Sequence, residues 1–429
     1  MSIALRRTTT CLAALFALAG ASQNTYADSP IGEKPVDPHA AHIRFHFNDL
    51  EMDFVFGSLI LGAAINGGAE IGEAFVTASR IKDGDAASWQ SEWIQIAKRV
   101  ETRGRATLAA GHLVSARDQY LRASYYYLAS LISMPEDDPR YKTTAQHARE
   151  LFKKAGSLMS PPLEYFEIPY QGKHLPGYFR KAKATPKPAK TLLMIGGAET
   201  YAEHLYYYIG RQAFERGYNF MTVDLPGQGM MPLEGLTFSP SIGDAVKAAV
   251  NYALARPDVA PKKMALYGIS SGGGFAPMGA VLTPQIGALV MNNCVADAEP
   301  GVAKMAVATT TPETLATWSS FKRQTNQAIA WRFGVDKNNL PGLVAANKGL
   351  AFDPTKLSMP AFILVANGES GNPEIQLQTK LCMDLLASTR KTAIVSPADE
   401  GAANHCIMEN RSLMSQLVFD WLDETFAEK

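Results

Sequence analysis

The chain has 429 residues, 47% of them apolar and 9% aromatic, which supports two domains with sizeable cores and excludes a disordered polypeptide. Its 41 basic residues balance 41 acidic ones, and no basic cluster interleaved with aromatics occurs, so the electrostatic footprint of a nucleic-acid binder is missing. Of its 4 cysteines, Cys11 lies in the N-terminal segment, and Cys294, Cys382 and Cys406 allow one disulfide at most.

The N-terminus reads as a signal peptide over residues 1–27. Arg6-Arg7 precede the apolar stretch Cys11 to Ala21, and small residues offer cleavage after Ala21 or Ala27. Spanning a bilayer takes about 20 apolar residues, so this stretch is not a membrane span, and the expected location is periplasmic or secreted. From Pro38 to about Ser160 the pattern is helical. Leu113 to Ser133 is the clearest segment, with Ala116, Tyr120, Ala123, Tyr127 and Leu131 on one stripe, which reads as core. Met134 to Pro139 breaks that helix and Tyr141 to Ala155 begins another. These helices are expected to form a cap domain over 38–160. His42 and His46 stand at i, i+4 with no acidic or thiolate ligand beside them, and read as surface helix rather than a metal pair.

Ser160-Pro161-Pro162 marks the boundary to a second domain, 161–429. Tyr165 to Tyr170 and Leu175 to Phe179 read as an antiparallel pair turning at Gln171-Gly172-Lys173. Strand and helix then alternate: Leu192 to Ile195, a helix near His204 to Arg216, Asn219 to Asp224, a helix near Ile242 to Leu254, and Lys263 to Tyr267. The turn Asp224 to Gly229 reads as structural. An Ala-, Thr- and Trp-bearing insertion over about 298–358 is placed to wall a substrate pocket. Two further strands, Pro360 to Val365 and Thr392 to Val395, and a closing helix Ser412 to Phe426 complete a mostly parallel, doubly wound α/β sheet.

The chemistry concentrates at Gly268-Ile269-Ser270-Ser271-Gly272, a G-x-S-x-G run between an apolar strand and a small-residue helix start. That is the sequence of a nucleophile elbow, where a strained turn leaves the serine hydroxyl exposed. In such sheets the acid and then the histidine follow the serine along the chain. Seven of the 8 histidines precede Ser270, which leaves His405 as base. Glu369, in the loop after the strand Pro360 to Val365, is the leading acid, with Asp297 after the strand Ile286 to Met291 as the alternative. Glu374 reads as a first-turn helix residue, and Asp399 and Glu400 as solvated turn residues. The oxyanion donors are expected at the Ser271 N–H and at Gly197 or Ala198, in the turn after the strand Lys190 to Ile195. Cys406 adjoins His405 but has no elbow of its own.

Gly111-His112, Ser115 to Ser124, Leu175 to Tyr178, the elbow, Gly401 to His405 and Val418 to Asp423 together resemble one family. It is the α/β-hydrolases typified by 2,6-dihydroxypseudooxynicotine hydrolase, with fungal polyketide-shortening hydrolases and fermentation-respiration-switch-like esterases. The resemblance implies an α/β-hydrolase fold with an N-terminal all-helical cap domain over the mouth of the sheet. It also implies a pocket between the two, often across a homodimer, and cleavage of an ester or of a carbon–carbon bond beside a ketone. Where the family usually carries Asp as the acid, this chain has Glu369. The expected activity is that of a serine hydrolase on a small-molecule substrate, with no cofactor or metal called for. The alternative is a non-catalytic binding protein of the same fold that docks partners on its helical domain.

Overall fold

Eight strands build one sheet in the computed structural model, which describes residues 39–183, 188–303 and 311–427; the leader expected over 1–27 lies outside them. The strands are β1 (Leu163–Tyr170), β2 (Lys173–Arg180), β3 (Ala189–Ile195), β4 (Asn219–Val223), β5 (Val259–Ile269), β6 (Ala288–Asn292), β7 (Ala361–Val365) and β8 (Lys391–Val395). Their order is β1-β2-β4-β3-β5-β6-β7-β8. β1 and β2 join antiparallel, through a turn with Gln171 and Gly172 both left-handed, and every pair from β4 to β8 is parallel. The inner strands β4, β6 and β7 are buried throughout, because helices cover both faces of a parallel sheet. One face packs under Ile242–Leu254, Gly272–Val281 and Pro373–Leu385, the other under Arg411–Ala427 and the helical turns from Ala202 to Glu215.

The N-terminal segment is helical as its periodicity implies. Ala86–Ala109, Leu113–Leu131 and Tyr141–Ser157 pack against one another, the first capped by Asp85, whose carboxylate accepts the Ser88 N–H. The stripe Ala116, Tyr120, Ala123, Tyr127 and Leu131 is buried, and Trp89 donates its indole N–H to the Ala129 carbonyl at 2.8 Å. This core is continuous with one face of the sheet, running from Trp93 and Phe152 to Tyr178, Tyr207 and Leu192. Helix was expected around His42 and His46, but the chain bends there instead. The buried Asp53 carboxylate accepts the N–H groups of Phe45, His46 and Phe47 at 2.8, 2.7 and 2.8 Å, and so takes the backbone out of helical pairing.

A buried ion network fastens the helices to the sheet. Arg149, on the helix Tyr141–Ser157, donates to Glu203 at 3.0 Å and to Asp224, just past β4, at 2.7 Å, while the Tyr178 hydroxyl donates to Glu203 at 2.6 Å. Burial raises both carboxyls. For Asp224 it prevails and pushes the group up to about 7, whereas for Glu203 the Arg149 guanidinium and the Tyr178 hydroxyl outweigh it. Removing the shared cation strands two buried carboxyls, so Arg149→Met is expected to destabilise the protein by about 3–5 kcal/mol. Urea unfolding at pH 7 measures this, and a loss within error of zero would contradict the role given to Arg149.

Candidate active site

The elbow turns on close backbone packing. Ser270 has φ 58°, a left-handed conformation that a residue with a side chain adopts only under constraint. Its N–H donates to the Asn292 carbonyl at 2.6 Å and its carbonyl accepts from Gly273 at 2.8 Å. A Cβ on Gly268 would stand 1.9 Å from the Gly272 carbonyl oxygen, and one on Gly273 only 1.6 Å from that of Asn293. At both positions any side chain would force the backbone apart.

The fold then brings the sequence candidates together. Ser270 Oγ lies 2.9 Å from His405 Nε2, and His405 Nδ1 lies 2.5 Å from Glu369 Oε1. Glu369 Oε2 accepts from Asn293 Nδ2 at 3.3 Å and from the Cys406 N–H at 3.4 Å. Both His405 and Glu369 are buried. Burial alone would raise the Glu369 carboxyl, but the facing His405 and these hydrogen bonds hold it below its ordinary range. Asp297 is engaged elsewhere: its carboxylate accepts the Glu299 N–H at 3.1 Å, and its own N–H donates to Gln378 at 3.1 Å. Asn372 accepts the Glu374 N–H as a helix cap, and Asp399 and Glu400 are exposed. Cys406 Sγ donates to the Asn292 carbonyl at 3.1 Å, and burial pushes its thiol well up, which disfavours the nucleophilic thiolate.

The turn after β3 faces the serine. A Cβ on Gly197 would meet Ser270 Cβ at 2.7 Å and Oγ at 3.0 Å, so the Gly197 backbone runs directly beside the hydroxyl. Among the described residues, none accepts the N–H of Gly197, Ala198 or Ser271. The carbonyls of Gly196 and Gly197 are held by Gln228 Nε2 at 2.7 and 2.9 Å, and Arg332 in turn holds the Gly227 carbonyl at 2.9 Å. The Asp224 to Gly229 turn, read from sequence as structural, therefore fixes the orientation of the Gly196-Gly197 turn.

The histidine loop is tied from three sides. Gly368 donates to the Ala403 carbonyl at 3.0 Å, linking the acid loop to the base loop. Asn404 accepts the His42 N–H at 2.8 Å, from the bend before the first helix, and donates to Ser58 at 3.0 Å, in the turn Val55–Ile60. Arg411 completes the anchorage, donating to the carbonyls of Met408, Tyr207, Ser58 and Leu59 at 3.0, 2.8, 2.9 and 3.1 Å. Ser58, Leu59 and Tyr207 belong to two π-helical turns, Val55–Ile60 and Tyr206–Gly210, whose wide winding misaligns their carbonyls. Periodicity cannot reveal such a role. Its one sequence trace is a cation at the start of a helix, where the helix dipole disfavours positive charge. The disulfide Cys294–Cys382 adds a covalent tie between the segment after β6 and the helix following the acid loop.

Two lobes of space meet at Ser270 and His405. One, of about 1060 Å³ including its open part, lies under the helices, with walls that include Phe54, Leu59, Tyr125, Leu128 and Tyr208. The other, of about 900 Å³ on the same measure, lies under the insertion, against Trp318, Lys322, Asn326 and Phe333. Tyr120 and Tyr127, read from sequence as core, are core, while their neighbour Tyr125 reaches the first lobe. Among the described residues no helix is long and apolar enough to cross a membrane, and no His, Cys, Asp or Glu cluster could hold a metal.

This sheet order with a serine elbow after β5, an acid after β7 and a histidine after β8 defines an α/β-hydrolase fold carrying an N-terminal helical region. Residues 81–293 match the family model "Esterase FrsA-like". The chain is 33% identical to the alpha/beta hydrolase gkaG of Penicillium citrinum over 232 residues, 51% of this chain and 53% of that one. It is 32% identical to the hydrolyase poxO of Penicillium oxalicum over 243 residues, 54% of this chain and 58% of the relative. The alignments thus span about half the length of these curated relatives. The crystal structure of 2,6-dihydroxy-pseudo-oxynicotine hydrolase superposes with a TM-score of 0.68 at 20% identity, over 85% of this chain and 95% of the other. That likeness extends the shared fold through the helical region.

Glu409 yields a pH-dependent expectation. Its Oε1 accepts the Ala403 and Asn404 N–H groups at 2.7 and 2.6 Å, while Oε2 is buried without a partner. Burial raises this carboxyl from 4.5 to about 7. The folded state keeps a proton that the unfolded chain gives up, so this contribution is full below about pH 4.5 and is lost as the pH rises through about 7. Urea titrations at pH 5, 6.5 and 8 are expected to show wild type losing on the order of 3 kcal/mol relative to Glu409→Gln across that range. Parallel profiles would contradict it.

Proposed function

We propose that this protein is an exported serine hydrolase that cleaves an ester, or a carbon–carbon bond activated by a neighbouring ketone, in a small organic substrate. One observation carries the reading: the unbroken chain of hydrogen bonds from Ser270 Oγ through His405 to Glu369, set where two cavity lobes meet. An intact relay beside a row of unclaimed backbone N–H groups is what acyl transfer demands and simple binding does not.

In the first step His405 Nε2 takes the Ser270 proton as Oγ bonds to the substrate carbonyl carbon. The carbonyl electron pair moves to oxygen, where the N–H groups of Ser271 and of Gly197 or Ala198 stabilise the charge. Collapse of this intermediate expels the leaving group, which receives the proton from His405 and leaves an acyl-enzyme. Water, deprotonated by His405, then attacks the acyl carbon and regenerates Ser270. Glu369 accepts the Nδ1–H and stabilises the imidazolium throughout. For a carbon–carbon substrate the leaving group is a carbanion, which needs an adjacent carbonyl or electron-poor ring before His405 protonates it. Export is supported by the leader-like N-terminus and by the disulfide Cys294–Cys382, a bond that persists in oxidising compartments.

The test is hydrolysis of p-nitrophenyl acetate, butyrate and octanoate by the mature protein. Ser270→Ala and His405→Ala are each expected to lower kcat by about a thousandfold or more, and Glu369→Gln by at least about a hundredfold. Asp297→Asn should stay within about threefold of wild type. Ester turnover that survives in Ser270→Ala would overturn the proposal.

A further inference from the structure

The lobe under the helices is lined by polar side chains that the relay does not use, among them Glu199, Arg332 and, beside the aromatic rings, His204. His204 sits in the first helical turn after the oxyanion turn and lines that lobe together with Ser270. Its Nδ1 accepts the Tyr201 N–H at 3.4 Å, closing the helix start, and the rings of Tyr125 and Tyr201 meet its faces edge-on at centroid separations of 5.7 and 5.5 Å. A nitrogen that accepts a hydrogen bond carries no proton, so in the neutral ring the hydrogen is on Nε2. Among the described residues nothing accepts from Nε2. Burial also lowers the imidazole to about 4, which keeps it neutral at working pH. Within the lobe His204 thus carries an oriented, neutral N–H donor next to aromatic walls.

Resting on the serine-hydrolase reading, we infer that His204 is a specificity-determining residue whose Nε2–H binds an oxygen acceptor on the acyl part of the substrate, beyond the scissile carbonyl. The preferred substrates are then oxo-acyl or hydroxy-acyl compounds rather than plain hydrocarbon acids. The penalty for a substrate lacking the oxygen is an unmade hydrogen bond in an enclosed site.

The probes are p-nitrophenyl hexanoate and its 3-oxo, 4-oxo and 5-oxo analogues, each kcat/KM divided by the same ester's rate with hydroxide to remove intrinsic reactivity. Wild type is expected to favour at least one oxo ester over the hexanoate by about tenfold or more. In His204→Phe that ratio should fall to within about twofold of unity, and His204→Gln, which can offer an amide N–H from a similar position, should restore part of it. If the hexanoate is hydrolysed and no oxo ester is favoured, or if the preference survives in His204→Phe, the role of His204 is overturned while the serine hydrolase stands. If wild type hydrolyses none of the four esters, the reading on which the inference rests fails, and the inference with it.

Discussion

Ser270 presents its hydroxyl only while its backbone stays left-handed, and this conformation depends on backbone meeting backbone without side chains between. β5 supplies the apolar run that buries the approach, Gly268 and Gly273 allow neighbouring carbonyls to close in, and Asn292 at the end of β6 accepts the serine N–H. The parallel order of β3, β5 and β6 is therefore a requirement of the site. It places the Gly196-Gly197 turn on one side of the elbow and the Asn292 carbonyl on the other.

The remaining groups reach Ser270 from loops, which by themselves hold position poorly. The protein compensates by cross-linking them. The Glu369 loop and the His405 loop share a backbone hydrogen bond, Asn404 and Arg411 tie the His405 loop to the N-terminal helices, and Gln228, backed by Arg332, holds the Gly196-Gly197 turn. The two π-helical turns face the same anchor. Their misaligned carbonyls would be costly if buried unpaired, and Arg411, Asn66 and Tyr125 satisfy them. The helices are thus wall and anchor at once, and a change in their packing would be felt at His405.

Much of this arrangement was legible in the sequence. The elbow is a local signal, so Ser270 could be read directly. His405 followed from chain order, because no other histidine lies after the serine, and Glu369 from its place at a strand end. Segments with strong periodicity also came through closely, as with the helix Ile242–Leu254 and the buried stripe on Leu113–Leu131. What escaped was set by long-range contact. Arg411 reaches carbonyls more than 200 residues away in sequence, His204 matters because of the cavity it lines, and Gln228 acts through a turn that spacing alone marks as ordinary. The bend at His42 and His46 escaped for the opposite reason. A side-chain carboxylate, Asp53, captured backbone donors that helix periodicity assumes are free.

The claim at the centre of the account is that Ser270 is an activated nucleophile. The most direct measurement is reaction of the folded protein with a fluorophosphonate, followed by intact mass and peptide mapping. The account predicts a single stoichiometric adduct on Ser270, formed slowly or not at all when His405 is replaced. A folded protein that takes up no adduct, or takes it up at another residue, would contradict it.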